Sequence, residues 1–192
     1  VADFLKALPG VLRHEGVQFD AAGQPIPGKT GWVNDLRDPG GETAWGITLA
    51  VARLAEYTGP MKDLPYEKAC DIYRARYWDA MKGDAQPDQE IAAKMFDAGV
   101  NIGMGRAIEH LQDVLNVLND GQKRWPDVKV DGGMGPATLE ALGMALLLGP
   151  RYHAAILAGL RALQIARYIE ISNRNPKLEA FTLGWLLRGD QV

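Results

Sequence analysis

The first helical pattern of the chain is closed by a carboxylate. Phe4, Leu8, Val11 and Leu12 recur at helical spacing, and Glu15 falls in register with them, one residue before Gly16. Partial burial and the negative end of a helix dipole both disfavour an ionised carboxyl, so a glutamate placed there suits proton donation. A glutamate tied to a backbone amide, or to Arg13 or Arg53, fits the same position. The segment Trp32 to Thr48 (WVNDLRDPGGETAWGIT) then offers Asp35, Asp38 and Glu42, a double glycine, and Thr43 five residues after Asp38. A carboxylate and a hydroxyl held by a tight turn can jointly orient one water molecule. Set across from a protonated Glu15, they form the arrangement that glycosidic hydrolysis requires, with an acid for the leaving oxygen and a base-held water opposite. Taken singly, DPGG reads as an ordinary turn and Thr43 as a strand residue.

The elements that must position these groups are mostly helical. Asp3 is placed to cap the first helix, Pro9 interrupts its interior, and Gly16 ends it. Residues Val17 to Gly46 are rich in turn formers and read as a loop with a short hairpin. Helical spacing predicts further helices over Thr48 to Tyr57, Pro65 to Trp78, Asp88 to Asn101, Arg106 to Leu118, Pro136 to Leu148, Tyr152 to Ser172 and Lys177 to Leu187. Two breaks stand out, at Gly103 to Gly105 and at Asn119 to Gly135. The expected class is mainly α (α+β), with a small β-hairpin near the N-terminus.

Composition narrows the partners. With 192 residues, net charge -3 and no run of Lys and Arg, the chain lacks the basic stripe that nucleic-acid binding needs. The longest strongly apolar stretch, Ala141 to Pro150, falls well short of a membrane span, and the N-terminal segment does not read as a signal peptide. His14, His110, His153 and Cys70 lack metal-ligand spacing, so no metal and no cofactor are expected, and Cys70 reads as an inert thiol. Asp127 and Asp131 lack the acidic ladder of a calcium loop. The formal charge also gives little electrostatic steering toward an anionic polymer.

Taken together, EG at Glu15 and Gly16 and VNDxxDPGGETxxGIT at Val33 to Thr48 resemble the signature of the glycoside hydrolase family 108 muramidases, phage-type endolysins of lysozyme-like fold. ARYW at Ala75 to Trp78, FDAGVNIG at Phe96 to Gly103, LQDVLNV at Leu111 to Val117, DGGMGPAT at Asp131 to Thr138 and GWLLR at Gly184 to Arg188 agree in order. The second half resembles the predicted peptidoglycan-binding region that accompanies such enzymes. By this resemblance, residues 1–95 form a lysozyme-like catalytic lobe with a hairpin insertion. Residues 96–192 form a helical lobe packed with it as one compact unit. Glu15 falls on the family's general acid, Asp38 on the base, and Thr43 on the threonine that positions water. Asn101 would hydrogen-bond an acetamido sugar, and Trp32, Phe19 and Trp45 are candidates for contact with sugar rings. Two departures stand: EGG is EGV here, with Val17 for the second glycine, and Gln18 to Gly31 is inserted before WVND.

The resemblance implies a monomeric muramidase cleaving the β-1,4 bond between N-acetylmuramic acid and N-acetylglucosamine. It would be made in the bacterial cytoplasm and reach the wall through a separate export or lysis system. A lytic transglycosylase, and a non-catalytic wall-binding accessory of secretion, are the competing expectations.

Overall fold

The computed structural model describes residues 1–34 and 41–190. The chain divides into two compact units, one of Leu5–Arg76 and one of Val1–Phe4 with Tyr77–Val192.

Helix α1 (Phe4–His14), which lies in the first unit from Leu5 onward, buries Leu8, Val11 and Leu12 on one face, as the spacing predicts, and runs through Pro9. Gly16, with φ of +80°, turns the chain into β1 (Val17–Phe19), which pairs antiparallel with β2 (Pro25–Thr30). The inserted tract is therefore this hairpin. Its tip is held by Asp20, whose carboxylate accepts from the amides of Ala22 (2.9 Å) and Gln24 (2.8 Å). Val17 is buried at the start of a strand, where a β-branched side chain packs well and no left-handed backbone is required.

A second hairpin, not anticipated from the sequence, follows. Thr43–Ala44 (β3) pairs with Ile47–Thr48 (β4) through the two-residue turn Trp45–Gly46. Thr48 then caps α2 (Leu49–Leu54), its hydroxyl accepting from the Val51 amide. After a 3-10 turn at Met61–Asp63 comes α3 (Tyr66–Tyr73). The single helix expected from Pro65 to Trp78 changes register at Arg74, and Arg74–Trp78 forms one π-helical turn.

The second unit is helical. Asp88 caps α4 (Gln89–Ile102) by accepting from the Ile91 amide, and Gly103 turns the chain directly into α5 (Met104–Leu118). Then follow α6 (Pro136–Leu147), α7 (Pro150–Arg174) and α8 (Glu179–Asp190). Helix α5 packs on α4, α6 and α7, and α7 also packs on α8. At the crossing of α5 and α7, Gly159 lies so close to Val114 that an added methyl group would stand 2.6 Å from its Cγ2. Phe4, Trp78 and Phe96 form an aromatic cluster with centroids 5.6–5.9 Å apart, Trp78 meeting both phenylalanines edge to face.

Two carboxamides on α5 and a third just past its end, at Asn119, tether the long loop that leads to α6. The carboxamide oxygen of Gln112 accepts from the amides of Asp131 (3.0 Å) and Gly132 (3.1 Å), and its nitrogen donates to Asp131 Oδ1, Gly133 O and Thr138 Oγ1. Asn116 exchanges two hydrogen bonds of 2.8 Å with the backbone of Val128, and Asn119 donates to Asp127. The LQ and DGGMGPAT elements of the sequence are thus two ends of one loop anchor. No helix among the described residues is long and apolar enough to cross a membrane.

Candidate active site

Glu15 follows the last turn of α1, its amide bonding to the carbonyls of Leu12 (3.0 Å) and Val11 (3.3 Å). Its backbone is closed in by Gly31, where a methyl group would meet the Glu15 carbonyl oxygen at 2.3 Å. Its half-buried side chain lies against the β3–β4 turn. A methyl group on Gly46 would stand 2.6 Å from Glu15 Cγ, 2.8 Å from Glu15 Oε2 and 2.8 Å from the Tyr73 hydroxyl. Real side chains do not tolerate such contacts. Only glycine permits the carboxylate, the turn and the tyrosine to meet at this point.

The turn itself is unusual. Trp45 and Gly46 have φ of 58° and 73°, the left-handed pair of a tight hairpin of the I′ kind. A tryptophan in that region is strained, and its surroundings hold it there. The indole nitrogen donates to Leu64 O (2.8 Å), the ring packs on Tyr66 at 5.3 Å, and the amide donates to Thr30 O (2.8 Å). The Tyr73 hydroxyl donates to Trp45 O at 2.8 Å. Trp45 is only 5% exposed, so its ring serves as an internal anchor and offers no open face for a sugar.

Thr43 opens β3, half-buried, paired with Thr48 on one side and exchanging two backbone hydrogen bonds with Val33 on the other. It stands two residues before Trp45, which opens the β3–β4 turn. Trp32 is 45% exposed and its indole donates to Glu42 Oε1 at 2.8 Å, which fixes an aromatic surface beside that strand. Phe19 is half-buried beneath the Arg13 guanidinium, 5.1 Å from its ring centre. Asn101 lies in the last turn of α4, half-buried, in the second unit. Asp38 and Asp35 lie outside the described residues.

Sequence reasoning missed Tyr73 and the backbone of Trp45 and Gly46. The GIT of the DPGGETxxGIT segment was the one signal for Gly46; nothing in the sequence singles out Tyr73. Cys70, one turn before Tyr73, is half-buried and hydrogen-bonded to Tyr66, and burial pushes its thiol pKa up. Burial likewise pushes the Tyr66 phenol up to about 12. Among the described residues no three His, Cys, Asp or Glu side chains converge in a metal-binding cluster.

Comparison with known proteins identifies the families that the chain resembles. Residues 8–103 match the family described as glycosyl hydrolase 108, and residues 106–189 match one described as a predicted peptidoglycan domain. The solved structure of Brucella abortus SagA is similar over 98% of this chain and 90% of that one, with 27% sequence identity and a TM-score of 0.67. No curated protein sequence matches.

Proposed function

This chain belongs to the glycosyl hydrolase 108 family, and from that premise we propose that it is a muramidase. Its substrate is the β-1,4 bond between N-acetylmuramic acid and N-acetylglucosamine in peptidoglycan. The coarser reading, a glycoside hydrolase of peptidoglycan, is supported by the family and by the second matched segment. The observation that carries the finer one is the seat of Glu15. A carboxylate in register with an apolar helix face is fixed against a turn that admits only glycine.

In this mechanism Glu15 donates its proton to the leaving glycosidic oxygen. Asp38 and Thr43 orient a water that attacks the anomeric carbon from the opposite face, which gives inversion. If a second carboxylate lies within about 5.5 Å of Glu15, the outcome is retention. Trp32, held by Glu42, offers a sugar platform, and Asn101 a hydrogen-bonding partner for an acetamido group.

Glu15→Gln tests the assignment. Clearing of purified peptidoglycan should fall by at least about 1,000-fold while the variant still binds the wall. Undiminished clearing excludes Glu15 as the acid, and a wild type that binds without clearing identifies a binding accessory. Mass spectrometry of the products decides the reaction, since reducing ends mark hydrolysis and 1,6-anhydro ends a transglycosylase.

A further inference from the structure

The arginines of the second unit fall into two groups. Arg106, Arg161, Arg167, Arg174 and Arg188 each have a carboxylate partner, at 2.6–3.8 Å. Arg124 and Arg151 have none among the described residues. These two line one cavity of about 450 Å³, together with Leu118, Leu148, Tyr152 and Ala155.

The cavity is built rather than incidental. Asp120 and Gln122 both hold left-handed backbone, with φ of 56° and 65°, flanking Gly121. Buried Asn119 secures this strained turn: its side-chain oxygen accepts from the Gln122 amide (3.0 Å) and its carbonyl from the Arg124 amide (3.2 Å). The turn delivers Arg124 over the ring of Tyr152, 5.4 Å from its centre, and buried Trp125 against the same ring at 6.3 Å. With its ring engaged by both, Tyr152 is a poor platform for stacking a sugar. Two uncompensated guanidinium groups beside leucine and alanine side chains select an anion with a small apolar neighbour.

We propose that this cavity binds the free terminal carboxylate of a peptidoglycan peptide stem, with Leu118, Leu148 and Ala155 receiving the adjoining side chain. This rests on the peptidoglycan reading above. The glycan backbone offers no free anion where its lactyl groups carry peptides, so the stem supplies the charge that two arginines would recognise. The pocket would hold the wall by its peptides rather than by its sugars.

The test uses the full chain carrying Glu15→Gln, so that ligand is not consumed. Binding is measured by calorimetry for a disaccharide-tetrapeptide, for the same disaccharide stripped of peptide, for the muropeptide with its carboxylates converted to carboxamides, and for inorganic phosphate. The acidic muropeptide should bind at least about tenfold more tightly than the stripped and amidated forms. Adding Arg124→Gln and Arg151→Gln should remove that advantage, and Arg124→Lys should restore part of it. Equal affinity for the acidic and amidated muropeptides overturns the proposal without depending on how any pocket variant folds. Phosphate binding as tight as the muropeptide overturns the stem assignment in favour of a general anion site. Failure to bind intact sacculi and every muropeptide overturns the peptidoglycan reading itself, whereas binding indifferent to both arginines overturns only the pocket.

Discussion

Gly46 and Tyr73 show how single residues set the candidate acid. Gly46 provides both a left-handed φ and the space for the Glu15 carboxylate, so Gly46→Ala strains the turn and pushes Glu15 aside at once. Steady-state assays on peptidoglycan should show kcat/KM lower by about 100-fold, because an acid misplaced by an ångström loses that much. Tyr73→Phe is the milder change. It deprives the Trp45 carbonyl of one hydrogen bond, and chemical denaturation should report a loss of about 1 kcal/mol with activity reduced less than in Gly46→Ala. Glu15 was legible in the sequence because helical periodicity fixes which residues share a face. The partners of Glu15 were not, since they come from a hairpin and a helix far along the chain. Trp45 was misleading: an aromatic residue beside Thr43 looks like a sugar platform until its indole is found bonded to Leu64.

Helices with caps were read well from sequence, and the places where reading failed share a cause. Asp88 and Thr48 appear where polar residues begin apolar periodicity, and Gly16 and Gly103 where it ends. The β3–β4 hairpin was missed because its first turn position holds tryptophan, a residue no turn preference supplies; tertiary contacts impose that conformation. The π-helical turn at Arg74–Trp78 was equally invisible, since one extra residue in a helical turn leaves the apolar spacing nearly intact. The loop from Asn119 to Gly135 was seen as a boundary, but its anchoring came only with the structure. Gln112 satisfies two amides and a carbonyl of that loop from a buried position. Gln112→Leu keeps the volume and removes every one of these bonds. Denaturation should show a loss of about 3 kcal/mol, and hydrogen exchange at Asp131 and Gly132 should rise selectively.

For the molecule as a whole, the two family matches meet between residues 103 and 106, whereas the compact units divide between Arg76 and Tyr77. Helix α4 therefore belongs by sequence to the hydrolase match and by packing to the unit of α5 and α7. A charged cluster fastens it to α8. Lys94, fully buried, donates to Gly189 O at 2.7 Å, and Arg188 pairs with buried Asp97. Burial, opposed by Asp97 and reinforced by Arg161 and Arg188, lowers the Lys94 pKa from 10.5 to about 8. Between those values the unfolded chain holds a proton that the folded chain has released, so stability rises with pH across that window and the gain is absent below it. Relative to Lys94→Met, wild type should gain on the order of 2 kcal/mol between pH 8 and 10.5 in denaturant titrations. The same burial turns Lys94 into a clock. An amine of such low basicity is reactive at pH 8 wherever a reagent can reach it, yet in the native fold it is sealed beneath α8. Its acylation rate, followed by mass spectrometry, would then count the openings of that helix, giving the lifetime of the closed state from one residue.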